Sequence, residues 1–310
     1  CMEWHCERML IGDYCPDFFI EKLKALGLDY VYIPEVTNEE LYDEKDEYTI
    51  ILIKSSLQLS EDFFKHFNKI KTVLRPGSGL DNIDLSYCRK HTIEVINSPE
   101  GNSEAVGEMV VGLLLSIVRS IPKANLEVGQ NQWIREANRG IELKHRSLGI
   151  IGVGNTGTAF AKKIRGFEPK YLLHDINKRR SEEMDMDICS LQEVFTKAEI
   201  VSLHLPLNST TAHYADVDFF KAFEKPIYFI NASRGGVVCI KSLYNSIKSG
   251  HVIRAALDVL PAEPIEKLNS TEREMIAELM GENKIIATPH IAGWTHEAKD
   301  KMFQLLLDRI

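Results

Sequence analysis

The chain has 310 residues of ordinary globular composition and a net charge of -8, from 45 acidic and 37 basic residues. This length suits two domains, or one large domain with an insertion. The acidic balance is spread along the chain and excludes the basic surface that binds nucleic acid or an anionic membrane, so an anionic substrate would require a local basic pocket.

The N-terminal region predicts neither export nor a membrane span. Acidic residues occur where a secretory signal is basic, and no long apolar segment follows them. The longest strongly apolar stretch, Met109 to Val118, has about half the length of a membrane span and contains Gly112 and Ser116, so it predicts a buried helix. We therefore expect a cytoplasmic protein.

The cysteine spacing predicts free thiols in a reducing compartment, because it contains no Cys-x-x-Cys pair. A metal site formed by Cys1, Cys6 and His5 is the weaker alternative, since its ligands would lie on a fraying terminus. We predict no metal site. The cysteines are Cys1, Cys6, Cys15, Cys88, Cys189 and Cys239.

The first block of the chain, from Met9 to Asn97, alternates apolar strand-like runs with amphipathic helical stretches. The runs are MLIGD, VYIP, TIILIK, KTVLR and IEVIN, and helices are predicted around Phe18 to Leu26 and Ser60 to Ile70. This repeat predicts a parallel sheet.

A long helix follows, from about Ser103 to Ile121, with Pro122 beyond its end. A second strand and helix series then begins with SLGIIGVGNTG and continues through YLLHD, AEIVSLHLP, PIYFINAS, VIRAALDVL and KIIATPH. Its strands are nearly all apolar, as in a sheet covered on both faces. The last predicted helix, roughly Thr295 to Leu307, is too short to form a domain and should pack on the first block.

A glycine-rich turn opens the second block. Gly152, Gly154 and Gly157 follow an apolar strand and precede a helix, the context in which this spacing binds a dinucleotide pyrophosphate. Asp175 ends the next strand, where a carboxylate accepts hydrogen bonds from a ribose 2'-OH and repels a 2'-phosphate. The pattern predicts NAD as the cofactor. Arg179 and Arg180 leave NADP open, although a solvated helix face is the simpler interpretation of the two arginines.

Three short motifs in the C-terminal half each contain one candidate residue: Arg234 in NASRGG, Glu263 in DVLPAEP and His290 in TPHIAG. A guanidinium fork holds a carboxylate and stabilises negative charge on a carbonyl oxygen. Imidazole titrates near neutral pH and can donate a proton, and a carboxylate on its other ring nitrogen would orient the ring and favour its charged form. Each residue alone suits a loop, cap or turn. Together they predict a site that binds an anion and moves a proton.

These motifs, with GSGLDNID and NSEAVGE in the first half, resemble the D-2-hydroxyacid dehydrogenase family over essentially the whole chain. The resemblance implies an α/β fold of two doubly wound parallel-sheet domains, in which a Rossmann nucleotide domain (residues 99–289) is inserted into a flavodoxin-like substrate domain (1–98 and 290–310). It also implies a substrate cleft between the domains and a homodimer, with the helix from Ser103 to Ile121 as a candidate interface. Core packing of that helix is an equal alternative.

The resemblance assigns Arg234, Glu263 and His290 to catalysis, with His290 as the proton donor in the reduction of a 2-keto acid. It places Asp258 at the nicotinamide amide, Leu205 and Pro206 at the adenine side, and His204 near the cofactor through its backbone. The cofactor set is Gly152, Gly154, Asn155, Thr156, Gly157, Asp175, His204, Leu205, Pro206, Ala232, Ser233, Asp258 and Gly293. The substrate set is Lys54, Arg75, Ser78, Gly79, Arg234 and His290.

The chain departs from the family pattern at two places. A polar, helical-looking insert around Asn269 to Glu282 lies between Glu263 and His290 and could border the cleft, and Lys144, His145 and Arg146 stand in a surface loop where many members have Gly-Lys-Thr. The surface-loop difference affects none of the roles assigned to the site residues.

The substrate is less sharply indicated. Lys54 beside Arg75 could bind a distal phosphate, which favours 3-phosphoglycerate, in serine biosynthesis, over lactate or glycerate. Because the chain ends soon after its last predicted helix, we expect no regulatory domain. A hydroxypyruvate or glyoxylate reductase is the alternative within the family, and an NAD(H)-sensing transcriptional co-repressor is the alternative from another class.

Overall fold

The computed structural model describes residues 7–42, 47–54, 57–177 and 187–310. The chain divides into two compact units: unit 1 is Cys1–Ser103 with Trp294–Ile310, and unit 2 is Glu104–Gly293. The domain boundaries expected after residues 98 and 289 stay a prediction. The interpretations of Cys1, His5, Cys6, Arg179 and Arg180 concern positions outside the described residues.

Within the described residues, the strands of unit 1 are β1 (Arg8–Ile11), β2 (Asp29–Tyr32), β3 (Ile50–Leu52), β4 (Thr72–Arg75) and β5 (Glu94–Asn97). Those of unit 2 are β6 (Ser147–Ile151), β7 (Lys170–His174), β8 (Ile200–Leu203), β9 (Ile227–Asn231), β10 (Val252–Leu257) and β11 (Ile285–Ala287).

The described helices, numbered in chain order, are α1 (Asp17–Ala25), α2 (Asn38–Tyr42), α3 (Glu61–His66), α4 (Leu85–Lys90), α5 (Ser103–Arg119), α6 (Ile121–Gly129), α7 (Asn155–Ile164), α8 (Leu191–Lys197), α9 (Val217–Lys221), α10 (Ile240–Lys248), α11 (Ser270–Gly281) and α12 (His296–Leu307). Side chains that accept hydrogen bonds from the first turn set several of their starts. Ser60 caps α3, Asn269 caps α11 and Thr295 caps α12.

The described strands of unit 1 form a parallel sheet in the order β2-β1-β3-β4-β5, which is the flavodoxin-like order. Alternate side chains of β1 point to opposite faces of the sheet. Leu10 belongs to the apolar cluster that contains Phe63, whereas Met9 belongs to the cluster that contains Phe19 and Phe303 of α12. The rings of Phe19 and Phe303 meet edge to face at 5.0 Å, so the last helix completes the core of unit 1.

Unit 2 also contains a parallel sheet, in the order β11-β10-β9-β8-β6-β7 over the described residues. A parallel bridge between Leu173 and Ile188 extends the sheet beyond β7. The usual dinucleotide-binding order, 3-2-1-4-5-6, has its outer strand at this place. Separate apolar clusters cover its two faces, one around Phe219 and Phe229 and the other around Val110 and Phe160. The predicted α/β class with two parallel sheets is confirmed.

The expected helix from Ser103 to Ile121 is wrong at its end. Helix α5 ends at Arg119, Ser120 takes a left-handed φ of 56°, and α6 begins at once with Pro122 in its first turn. Proline is tolerated there because that turn leaves its N–H groups free. Among the described residues no single helix is long and apolar enough to cross a membrane. Helices α5 and α6 taken together have the length and composition of a membrane span, but they are bent by 63° relative to each other.

The predicted insert around 269–282 forms α11, which packs against α10 within unit 2. Its apolar residues Ile276 and Leu279 are buried in the core of that unit. On the surface, Lys248 of α10 pairs with Glu278 and Glu282 at 2.6 and 2.5 Å. The described cysteines, Cys15, Cys88, Cys189 and Cys239, are free thiols.

Candidate active site

The predicted residues of unit 2 lie at one edge of its sheet, since each follows the carboxyl end of a parallel strand. Gly152 follows β6, Asp175 follows β7 and His204 follows β8. Strand β6 pairs with β7 on one side and with β8 on the other, so the chain reverses direction across the sheet at β6. Such switch points bind ligands in open α/β sheets.

The glycine turn shows why each of its glycines is needed. Gly152 has a φ of +94°, and a Cβ on it would overlap the carbonyl group of His204. A Cβ on Gly157 would overlap the carbonyl oxygen of Gly152, so this glycine lets α7 approach the turn. Apart from Gly154 and its two chain neighbours, no described residue has an atom within 4 Å of the position that a Cβ on Gly154 would take. The backbone at Gly154 is therefore open to a ligand.

Asp175 is tied to the glycine turn by its own side chain. Its Oδ2 accepts a hydrogen bond from the Val153 N–H at 2.7 Å, and its Oδ1 accepts one from the Asn177 N–H at 2.8 Å. Each carboxylate oxygen has a further lone pair. Asp175 can thus hold the turn and accept from a ribose hydroxyl at the same time.

His204 is a buried neutral side chain. Burial lowers the pKa of its imidazole to about 4. Its ring nitrogens are hydrogen-bonded to Ser202 Oγ at 3.0 Å and to Thr156 Oγ1 at 3.2 Å. The side chain therefore connects β8 to the first turn of α7, and a neutral buried ring is unsuited to donating a proton to a substrate.

Glu263 and His290 form the central pair. Glu263 Oε2 lies 2.7 Å from His290 Nδ1, and Oε1 accepts from the Leu260 N–H at 3.0 Å. Burial raises the pKa of the Glu263 carboxyl, but the hydrogen bonds with His290 and Leu260 and the charge of Arg234 outweigh it and lower the pKa below its ordinary value. An ionised carboxylate only accepts. Nδ1 therefore carries the hydrogen of this bond, and Nε2 is left for a substrate.

Arg234 reaches the same place because a neighbouring glycine permits close packing. A Cβ on Gly235 would overlap the carbonyl group of Leu260, so the loop after β9 lies directly against the segment that leads to Glu263. The Arg234 guanidinium donates through Nη1 to the Ser233 carbonyl at 2.8 Å, and its charge acts on Glu263. The structure thus brings the three residues proposed for catalysis together within unit 2.

Two buried polar residues hold the loops that carry Arg234 and His290, a role that the sequence had not indicated for them. Asn231 accepts from the Ser233 N–H and Oγ–H at 3.1 and 2.7 Å and donates to the Arg234 carbonyl at 2.9 Å. The sequence resemblance placed Asp258 only at the nicotinamide amide. Its carboxylate accepts hydrogen bonds from Thr288, Ile291 and Ala292, on either side of His290. Both are fully buried. A polar residue closing an apolar strand just before a predicted site is the signal that could have indicated them.

The remaining cofactor candidates of unit 2 occupy the same loops. Leu205 and Pro206 follow His204, Ala232 and Ser233 precede Arg234, Asn155 and Thr156 begin α7, and Gly293 ends the unit. All are at least partly accessible.

The substrate candidates Lys54 and Arg75 lie in unit 1, at the ends of β3 and β4. Lys54 Nζ lies 5.5 Å from the centre of the Phe303 ring, and its backbone N–H donates to Asp13 Oδ2 at 2.6 Å. Burial lowers the pKa of the Lys54 ammonium; Asp13 opposes this, and the cations Lys299 and Arg75 add to it. Lys299, on α12, is a basic neighbour that the sequence alone did not indicate.

Ser78 and Gly79 lie in the turn after β4. Arg75 donates through Nη1 to the Pro76 carbonyl at 2.8 Å, and the buried Ser98 accepts from the Gly77 N–H at 3.0 Å. These contacts hold the turn, whose Ser78 and Gly79 are half-buried. Their backbone N–H groups as ligands of a substrate carboxylate stay a prediction.

The unit 2 residues fit a dinucleotide. The open backbone at Gly154, the first turn of α7 and the lone pairs of Asp175 supply the donors and acceptors that a pyrophosphate and a ribose require. Beside them, His290 can give a proton through Nε2 and Arg234 can hold an anion.

The chain is similar in sequence to known proteins over most of its length. Residues 111–292 match the sequence model described as "D-isomer specific 2-hydroxyacid dehydrogenase, NAD binding domain". A D-3-phosphoglycerate dehydrogenase of Bacillus subtilis is 30% identical over 94% of the chain and 54% of that protein. A hydroxypyruvate reductase of Thermotoga maritima is 30% identical over 89% of the chain and 90% of that protein.

Among solved structures, a D-lactate dehydrogenase of Aquifex aeolicus complexed with NAD and lactic acid superposes with a TM-score of 0.86, at 24% identity over 97% of this chain and 93% of that one. This likeness concerns the fold. The chain spans about half the length of the phosphoglycerate dehydrogenases it matches.

Proposed function

Since the chain belongs to the D-isomer-specific 2-hydroxyacid dehydrogenase family, we propose that it is an NAD-dependent oxidoreductase that interconverts a D-2-hydroxy acid and its 2-keto acid. The observation that carries the proposal is the Glu263 to His290 contact at 2.7 Å beside Arg234. A carboxylate, an imidazole and a guanidinium so arranged suit proton transfer to a polarised carbonyl.

In the direction of reduction, NADH held at the turn of Gly154 and at Asp175 would supply a hydride for the carbonyl carbon of the keto acid. His290 donates the Nε2 proton to the carbonyl oxygen, so the C=O bond becomes a CH–OH group. Glu263 keeps the ring oriented and stabilises its positive charge before transfer. Arg234 holds the substrate carboxylate and stabilises negative charge on the oxygen. In oxidation the same groups act in reverse, with His290 as the base.

A screen of 2-keto acids that follows NADH absorbance tests this proposal. We expect turnover with at least one of them, reduced by ~10²-fold or more in His290→Gln, the usual scale of general acid–base catalysis. His145→Asn is the matched control, because His145 lies on the surface of the same unit and asparagine tolerates its left-handed φ of 65°. Absence of turnover with every keto acid, or full activity of His290→Gln, would contradict the proposal.

Within this activity we propose a phosphorylated substrate, 3-phosphoglycerate, as in serine biosynthesis. Lys54, Arg75 and Lys299 support it, because the charges of Arg75 and Lys299 both act on the Lys54 ammonium and so place positive charge on one part of unit 1. Relatives named D-3-phosphoglycerate dehydrogenase and hydroxypyruvate reductase are equally identical to this chain at 30%. Hydroxypyruvate therefore remains the second candidate, favoured by the match over 90% of that relative's length.

We also propose a homodimer, through the segment 121–134. The apolar residues of α5, the candidate interface from sequence, are largely buried in the core of unit 2. The segment that follows exposes Ile121, Leu126, Val128, Trp133 and Ile134, with Trp133 81% exposed. Five exposed apolar side chains on one short segment of a folded unit favour an interface there. The cytoplasmic location stays a prediction.

A further inference from the structure

The carboxylate of Asp258 binds the segment that carries His290. Its Oδ1 accepts from Thr288 Oγ1 at 2.5 Å and from the Ile291 N–H at 3.0 Å, and its Oδ2 accepts from the Ala292 N–H at 2.8 Å. The Asp258 backbone carbonyl accepts from the His290 N–H at 2.8 Å. All four donors belong to residues 288–292. A fully buried carboxylate needs hydrogen-bond donors to compensate for the water that it has lost. Here the donors lie on both sides of His290 in the chain.

His290 needs this support because its backbone is in a sparsely populated conformation. Its φ is 54°, in the left-handed region that few residues other than glycine adopt. Residues in that region persist where their surroundings hold them, and they are frequent at functional sites. The Glu263 contact fixes the ring through Nδ1, but it leaves the backbone of 288–292 unconstrained. The Asp258 hydrogen bonds constrain that backbone.

We propose that Asp258 is a positioning residue for proton transfer, which sets the backbone of 288–292 so that His290 meets Glu263 and presents Nε2. This inference rests on the proposed function and goes beyond the contact with the nicotinamide expected from sequence. A carboxylate has about four lone-pair sites. The segment 288–292 uses three of those of Asp258, whose side chain is fully buried.

The hydroxyl of Thr288 allows the positioning part to be tested apart from any cofactor contact. Thr288→Val keeps the size and β-branching of the side chain but removes one donor to Asp258. Thr288→Ser keeps the hydroxyl and is the matched control. In Asp258→Asn the amide nitrogen cannot accept, so the Ile291 or the Ala292 N–H loses its partner.

We expect Thr288→Val to lower kcat roughly 10-fold and Asp258→Asn roughly 10²-fold, the scale of a small misplacement of a catalytic group. Thr288→Ser should stay within about twofold of the wild type, as the retained hydroxyl predicts. NADH affinity, measured by fluorescence, should be unchanged in Thr288→Val. Unchanged kcat in both Thr288→Val and Asp258→Asn, or a loss confined to NADH affinity, would overturn the proposal.

A second readout separates this proposal from the proposed function. The Nδ1 proton of His290, bonded to Glu263, should give a downfield proton resonance that His290→Gln removes. We expect Thr288→Val to shift or broaden it and Thr288→Ser to leave it in place. If the wild type is inactive on all keto acids but the resonance shifts in Thr288→Val, only the dehydrogenase function is refuted. An active wild type whose resonance and kcat do not change in Thr288→Val would refute the positioning role alone.

Discussion

The backbone N–H of Asp258 donates to the carbonyl oxygen of Asn231 at 3.0 Å, and this bond joins the ends of the neighbouring strands β10 and β9. Each of the two residues organises one loop of the site: Asn231 holds the Ser233 and Arg234 backbone, and Asp258 holds the His290 segment. The anion-binding and proton-donating groups are therefore supported by one pair of adjacent strand ends.

Asn231→Ala should misplace Arg234 and raise the KM for the keto acid by roughly 10-fold or more, since the substrate carboxylate depends on the guanidinium. It should also cost about 1–3 kcal/mol of stability, because the Arg234 carbonyl and the Ser233 N–H lose a buried partner. Steady-state kinetics and denaturant unfolding measure the two effects. Asn245→Ala, on the exposed face of α10, is the control. An unchanged KM in Asn231→Ala would contradict the prediction.

Glu263→Gln should lower turnover by ~10²-fold at neutral pH. The amide can accept from only one of the two donors, His290 Nδ1 or the Leu260 N–H, and it no longer stabilises a charged imidazole. Glu266→Gln, an exposed neighbour, should keep its activity. A Glu263→Gln enzyme with wild-type turnover would show that the carboxylate has no part in proton transfer.

Glu263 should also make stability depend on pH. Its pKa in the folded chain lies below its ordinary value of 4.5, so the ionised carboxylate contributes its full stability above that value. The contribution is lost as the pH falls through the lower folded-state pKa. The difference in Tm between the wild type and Glu263→Gln should therefore shrink as the pH falls below 4.5. A difference that grows as the pH falls below 4.5 would contradict the sign of this shift.

Asp175→Asn should weaken the discrimination against NADP⁺. The charge that repels a 2'-phosphate is removed, while one side-chain oxygen can still accept from the Val153 N–H. We expect the ratio of the Kd for NADP⁺ to that for NAD⁺ to fall roughly 10-fold, which is about 1.4 kcal/mol. Fluorescence titration measures it, with Asp218→Asn, an exposed residue of α9, as the control. Equal binding of both nucleotides by the wild type would rule out the assignment to NAD.

Lys54→Glu should act selectively on a phosphorylated substrate. We expect kcat/KM for 3-phosphoglycerate to fall by roughly 10²-fold, because reversing one charge affects a doubly charged phosphate most. Activity with an unphosphorylated hydroxy acid should change little. Lys54→Arg should retain most activity, and Lys24→Glu on the exposed face of α1 is the control. Equal effects on both substrates would remove the phosphate-binding role.

Trp133→Asp and Leu126→Asp should convert the proposed dimer to a monomer, since a carboxylate in an apolar interface is desolvated without a partner. Sedimentation velocity at several concentrations measures the change. Leu26→Asp is the control, because Leu26 is a comparably exposed apolar residue in unit 1. A wild type that is monomeric throughout, or variants that remain dimeric, would contradict the proposed interface.

Features that depend on local pattern could be predicted from the order of the amino acids. Apolar runs separated by helical stretches predicted both parallel sheets, and the glycine spacing before α7 predicted the turn at Gly152, whose φ of +94° suits glycine. Arg234, Glu263 and His290 could be proposed as a set because each follows a strand, and parallel strands end at a common edge. The end of α5 could not be predicted, because a proline suits the first turn of a new helix as well as the residue beyond an old one.

Which side chains are in contact depends on the fold and could not be predicted from local pattern. The contact between Glu263 and His290 depends on the pairing of β10 with β11, and the approach of Arg234 to Glu263 depends on the close packing allowed by Gly235. The hydrogen bonds from Thr288, Ile291 and Ala292 to Asp258 span 30 to 34 positions of the chain, beyond the reach of any local periodicity. Burial also decided that His204 stays neutral while His290 faces a carboxylate. His204 and His290 are the same residue type, and they differ because the fold gives them different surroundings.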